Sequence, residues 1–200
     1  MRNALSTICL FILPHFVLAQ EQLPAERAQQ AAKIIIAHVE KIDGLQLKVA
    51  VDADKATGLK KGEIGALVIP DKNLYLDRVA KAGKEIVPIA QLWTKGLTTL
   101  TSDNPTAKDK LRLEKVKAKD EEVELSLLLL GVRKSADNKL ELVVFAKGKE
   151  PLHVLPLEAN EKNQDQPVEL DGKGEGGRGT LFINILGKHQ AKLPIAAQGQ

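Results

Sequence analysis

From Gly44 onward the chain runs on a two-residue rhythm, and this rhythm constrains its fold more than any other feature. Leu45, Leu47, Val49 and Val51 alternate with Gln46, Lys48, Ala50 and Asp52. Successive side chains of a strand point to opposite faces, so the alternation predicts a strand buried on one side. Further strands are expected at 63–69, 73–80, 85–93, 97–101, 110–119, 121–132, 139–147, 151–157, 167–170 and 179–186, with a last one near 190–195. The clearest hairpin joins 123–127 to 140–144 through the turn-rich stretch 134–138. The unbroken run Leu127, Leu128, Leu129, Leu130 has no polar face, which predicts a central strand covered on both sides. Many short strands with turn signals between them indicate a mainly β fold, an antiparallel β-sandwich or an open barrel. Helices do not alternate with the strands, which argues against a doubly wound α/β fold.

One helix precedes this region. Pro24 suits a first helical position and Gly44 suits the stop. At about 100° per residue, Ala28, Ala32, Ile35, Val39 and Ile42 form one stripe, widened by Ala31, Ile34 and Ile36. Glu26, Gln29, Gln30, Lys33, Glu40 and Lys41 lie opposite. The expected organisation is therefore an amphipathic helix within 20–44 and a β-sandwich-like domain over 45–200. The helix stripe has two readings. It packs on the domain's own sheet, or it presents Ile34, Ile35, Val39 and Ile42 as an interaction face for a partner protein or a second copy. A membrane-surface role is disfavoured, because the polar face mixes charge signs and no aromatic lies on the stripe.

The first residues read as a leader. Arg2 is the only charge before Glu21, an apolar run follows, and Val17-Leu18-Ala19 precedes polar Gln20-Glu21-Gln22. A basic start, a short apolar core and a small-residue exit form a secretory signal peptide over 1–19, cut between Ala19 and Gln20. Pro14 and His15 interrupt the apolar part, leaving it short of the roughly 20 residues a bilayer span needs. Ile8 before Cys9 rules out a lipoprotein reading. The expected location is secreted or periplasmic, in the cell envelope, with no transmembrane segment once the leader is removed.

Composition then limits the chemistry. Among 200 residues, Lys and Arg number 29 against 26 Asp and Glu, with one cysteine and 3% aromatics. The 44% apolar content is too high for a disordered chain. Cleavage removes Cys9 and Arg2, so the net charge falls from +3 to +2 and thiolate chemistry disappears. None of Ser102, Ser126 and Ser135 stands in a nucleophile elbow. His38, His153 and His189 remain as candidate metal ligands, but no pair has a ligating spacing. Asp52, Asp54 and Glu63 match the first, third and last positions of a calcium loop. Thr57 stands where that loop needs glycine, and Lys55, Lys60 and Lys61 carry the wrong sign, so a hairpin turning at Gly58 is expected instead. The glycine-rich stretch 171–179 leads into a strand and offers no helix N-terminus to a phosphate. It and 160–166 are expected to be mobile connections.

The aromatics left after cleavage are Tyr75, Trp93, Phe145 and Phe182. Phe145, Phe182 and Trp93 are expected in the core, with Tyr75 exposed, which is poor provision for glycans or single-stranded nucleic acid. Lysines at 108–119 are interrupted by Asp109 and Glu114, with Asp120 following, so no nucleic-acid partner is expected. The expected function is an exported, non-catalytic structural, assembly or binding module without a cofactor. The alternatives are a metal-dependent enzyme or metal-binding protein using His38, His153 and His189, and a carbohydrate-binding module using Tyr75 and Trp93.

Overall fold

The computed structural model describes residues 20–40, 42–118 and 121–198. The expected leader, with Ala19 at its cleavage point, lies outside the described residues; Gln20 lies inside them. The first element among the described residues is a two-residue strand, β1 (Glu21–Gln22), followed by helix α1 (Ala25–Val39). Then come β2 (Thr57–Lys61), β3 (Ile64–Pro70), the short helix α2 (Leu76–Ala80), β4 (Val87–Lys95) and β5 (Leu97–Thr101). The middle of the chain forms β6 (Asn104–Pro105), β7 (Arg112–Ala118), β8 (Glu121–Lys134), β9 (Leu140–Phe145) and β10 (His153–Pro156). The last four are β11 (Glu158–Ala159), β12 (Val168–Glu175), β13 (Arg178–Ile185) and β14 (His189–Ala197).

These strands make two antiparallel sheets, and neither closes into a barrel. The first has the order β1-β2-β3-β4-β8-β9-β10, and the second β12-β13-β14-β5-β6 with β11 also on β14. Strand β8 is long enough to serve three neighbours. It pairs with β4 through Ser126–Val132, while β7 and β9 share its other side end to end. Lys147 N–H donates to the Lys110 carbonyl at 3.2 Å and joins those two partners.

The alternation of side chains builds three layers. Leu128, Leu130 and Val132 of β8, with Val68, Leu92 and Val144, face Leu170, Leu181, Ile183 and Leu193 of the second sheet. Leu127 and Leu129, with Leu67, Ile69, Trp93, Val143 and Phe145, face the opposite way, onto Ala28, Ala32, Ile35 and Val39 of α1. The apolar run in β8 is thus covered by a sheet on one side and a helix on the other. Each such leucine contributes about 1.5–3 kcal/mol by leaving water.

The segment 45–52 departs from expectation. Leu47 and Val49 are buried in the helix-side layer, yet the segment lies across the face of the sheet as an extended strap. Its only ladder contact among the described residues is the bridge between Val51 and Asp71. Its alternation reports burial on one side, which packing on a sheet face produces as readily as a ladder. Stretch 73–80, whose pattern predicts a strand, turns instead and forms α2 over Leu76–Ala80, because Asp71 accepts from Asn73 N–H at 2.8 Å and from Arg78 at 3.0 Å and draws the chain into a turn. The hairpin after β2 turns at Gly62, φ 58°, and not at Gly58, which lies within the strand. Phe182 points away from the sandwich interior and is half-buried, not core.

Stretches 160–166 and 171–179, expected to be mobile, are both fastened. Asn160 N–H donates to Lys188 O at 2.9 Å, and Lys162 N–H to Gly187 O at 3.2 Å. Residues 171–175 continue β12 in register with β13, and Gly176 and Gly177, at φ 58° and 79°, make a two-residue turn. Two successive positive φ values fit the right-handed twist of the flanking strands, and only glycine adopts them without strain.

Candidate functional site: an open corner between the sheets

One corner of the sandwich is held by side chains from the edge strands. Thr57 Oγ1 donates to the Val168 carbonyl at 3.0 Å, and Gln22 Nε2 to the Leu170 carbonyl at 2.9 Å. Strand β1 lies on the edge of β2, with Leu23 N–H on Gly58 O at 2.8 Å. The residues following the expected cleavage point therefore strap the two sheets together.

Beside these ties lies a cleft of about 280 Å³, between the β2–β3 hairpin and the β12–β13 hairpin. Its floor is apolar: Leu59, Ile64, Ala66, Leu97, Ile195 and Ala196. Its rim carries Lys60, Lys61, Lys173 and Arg178 against one carboxylate, Glu175. Lys60 is held by Glu21 at 3.1 Å. Among the described residues, Lys61, Lys173 and Arg178 make no ion pair.

The wall on the β12 side is backbone. Strand β12 is the edge of its sheet. Val168 and Leu170 turn their carbonyls outward, to Thr57 and Gln22. Backbone groups alternate along a strand, so Gly172 and Gly174 direct their N–H and C=O the same way, into the corner. Both are glycines, so neither carries a side chain of its own, and the Gln20 side-chain amide is the one that lies against Gly172. Gly174 faces Gly179 across the ladder so closely that a Cβ on Gly174 would lie 2.5 Å from Arg178 O. At Gly172, by contrast, a Cβ would meet only the end of the Gln20 side chain.

The residues singled out from the sequence are scattered elsewhere. His38 Nε2 lies 3.4 Å from Glu114 Oε2. His153 is half-buried on β10, its Nε2 enclosed without a partner among the described residues, and burial pushes its pKa below 6.5. Burial lowers the pKa of His189, on β14, in the same direction. These three stand on separate elements, and among the described residues no group of three or more His, Cys, Asp or Glu could hold a metal ion. Of the proposed interaction face, Ile35 and Val39 are buried in the chain's own core and Ile42 packs against it, leaving only Ile34 well exposed, at 41%. Trp93 is buried, its Nε1–H donating to Gln91 Oε1 at 3.1 Å. Tyr75 is exposed, so of the two aromatics expected to form a glycan platform only Tyr75 lies at the surface. No described helix is long and apolar enough to cross a membrane.

The glycine-rich composition of 171–179 predicts a flexible connection, whereas Gly172 and Gly174 belong to β12. The signal that could have placed them is their spacing: Gly172 and Gly174 fall on alternate positions of one strand, as a side-chain-free edge requires. No family model, curated protein or solved structure matches the chain.

Proposed function

We propose that this chain is an exported, non-catalytic binding module whose ligand seat is the corner cleft. The observation that carries this reading is the apolar floor of Leu59, Ile64, Leu97 and Ile195 beneath Lys61, Lys173 and Arg178. Binding sites combine an apolar concavity with a few polar groups that orient the ligand. Export rests on the leader pattern at 1–19, with Gln20 as the first residue of the processed chain.

Anilinonaphthalene sulfonate tests the seat, because it joins an apolar ring system to an anion. Its emission should rise on the native chain of residues 20–200 and fall when Lys61→Glu and Lys173→Glu are combined. Emission unaffected by this charge reversal would remove the cleft as the seat. Export is tested by sequencing the N-terminus of the secreted product from the full chain, which should start at Gln20. Retention of residues 1–19 on a cell-associated chain would overturn that part.

A further inference from the structure

We propose that the corner cleft takes an extended acidic peptide of a partner protein, added as a strand along the free edge of β12. This rests on the reading of the cleft as the ligand seat and specifies how the ligand is held. Three observations converge. First, Gly172 and Gly174 aim their peptide groups into the cleft, and among the described residues nothing bonds to them there. A row of unpaired N–H and C=O groups on an edge strand is a template for one more strand.

Second, the side-chain pattern on both banks suits such a strand. Ile195 and Leu59 belong to the sandwich interior and lie on the floor. Lys173 and Arg178 sit on the opposite face of their sheet, being out of phase with Leu170 and Leu181. Added residues would therefore alternate between an apolar inward set and an outward set beside Lys173, with Arg178 one strand further in on β13 and Lys61 on the facing bank. Asp171, the nearest acid on that outer face besides Glu175, is already taken by Lys162 at 2.8 Å and Asn184 at 2.8 Å. The cations left without ion pairs outnumber Glu175, which selects an acidic outward set.

Third, this corner already accepts an extended segment. Strand β1 pairs with β2 through Glu21 and Gln22, and its acid, Glu21, meets Lys60. Strand addition with an acid against a lysine is thus already present on the facing bank.

The experiment uses a blocked peptide of alternating valine and glutamate, about six residues long so that it spans the edge, titrated calorimetrically into residues 20–200. The decisive variant is Gly172→Pro. It removes the N–H directed at the free edge and leaves the β12–β13 ladder intact, since edge strands tolerate proline where the N–H faces outward. Binding should occur, weaken with salt, and fall about tenfold or more both for Gly172→Pro and for a peptide N-methylated on its pairing face. Circular dichroism should show Gly172→Pro folded; if it is not, the N-methylated peptide on the native chain decides alone. Unchanged binding of the N-methylated peptide would overturn strand addition. Octanoate bound in a Lys61- and Lys173-dependent way without peptide binding would also overturn it, while leaving the cleft as a ligand seat. Failure of peptide, octanoate and the sulfonate dye together would overturn both readings.

Discussion

The Asp71 carboxylate accepts a hydrogen bond from the Arg78 guanidinium at 3.0 Å, with the Asp71 side chain only 2% exposed. The same carboxylate accepts from Ala50 N–H at 2.9 Å and Asn73 N–H at 2.8 Å. One side chain thereby joins the strap 45–52, the end of β3 and the helix α2. A buried acid stripped of its partners is costly, and so are donors left without it. Asp71→Ala should cost about 3 kcal/mol, because it orphans two backbone donors and a guanidinium together. Arg78→Met should cost less, since the backbone donors remain. Urea unfolding of both variants measures the difference. A loss for Asp71→Ala of under about 1 kcal/mol, within the range of ordinary surface changes, would show that the clamp is dispensable.

The β12–β13 hairpin depends on two glycines facing each other. A Cβ on Gly174 would stand 2.5 Å from Arg178 O and 2.9 Å from Gly179 Cα, both backbone atoms that cannot swing aside. Gly174→Ala should therefore cost roughly 1–3 kcal/mol, the range for forced overpacking. Gly148 is the matched control, because its nearest neighbours are 3.7 Å away, and Gly148→Ala should change stability by less than about 0.5 kcal/mol. Equal melting temperatures for the two variants would mean that the hairpin relaxes more freely than its packing implies.

Residues whose environment is set by their immediate neighbours were legible in the sequence. The run at Leu127–Leu130 predicts cover on both faces, and the second sheet and α1 supply it. The stripe Ala28, Ala32, Ile35, Val39 predicts a buried helix face, and those four side chains are buried. Where a distant residue decides, the local pattern misleads. Strap 45–52 alternates as a strand does, but sheet membership depends on whether an edge is free, and Leu47 and Val49 land on a face. Stretch 73–80 bends because Asp71, outside it, captures Asn73 and Arg78. The corner cleft was hidden for the same reason: its banks, near residues 60 and 174, are far apart in sequence, and glycine composition alone resembles a loop.

Helix α1 divides its isoleucines between two tasks. Ile35 is 5% exposed and packs with Trp93 and Leu127, whereas Ile34, one position earlier, is 41% exposed. Ile35→Ala should cost about 2–5 kcal/mol, as other buried isoleucine truncations do. Ile34→Ala should fall within about 0.5 kcal/mol. Sedimentation should give the same mass for native chain and Ile34→Ala, because one exposed isoleucine is ordinary for a surface. A native dimer that dissociates on Ile34→Ala would restore the helix as an interaction face.

Stability should fall as the solution is acidified, through His153. Its ring faces the sandwich interior beside Val144, and its Nε2 has no partner to share a proton with. Burial holds the folded pKa below 6.5, the value expected of the unfolded chain. The unfolded state therefore binds the proton first, and unfolding becomes easier as pH drops through 6.5 towards the folded value. Above 6.5 both states are neutral and the contribution is complete. His153→Leu removes this titration while leaving the carboxylates unchanged. Its unfolding free energy should thus lose less than that of the native chain between about pH 8 and pH 5. His189, on β14, is shifted in the same direction, so His189→Leu should also lessen the loss of stability on acidification. Parallel pH profiles for native chain and His153→Leu would show that the ring gains its proton without resistance, and that its burial carries no acid sensitivity.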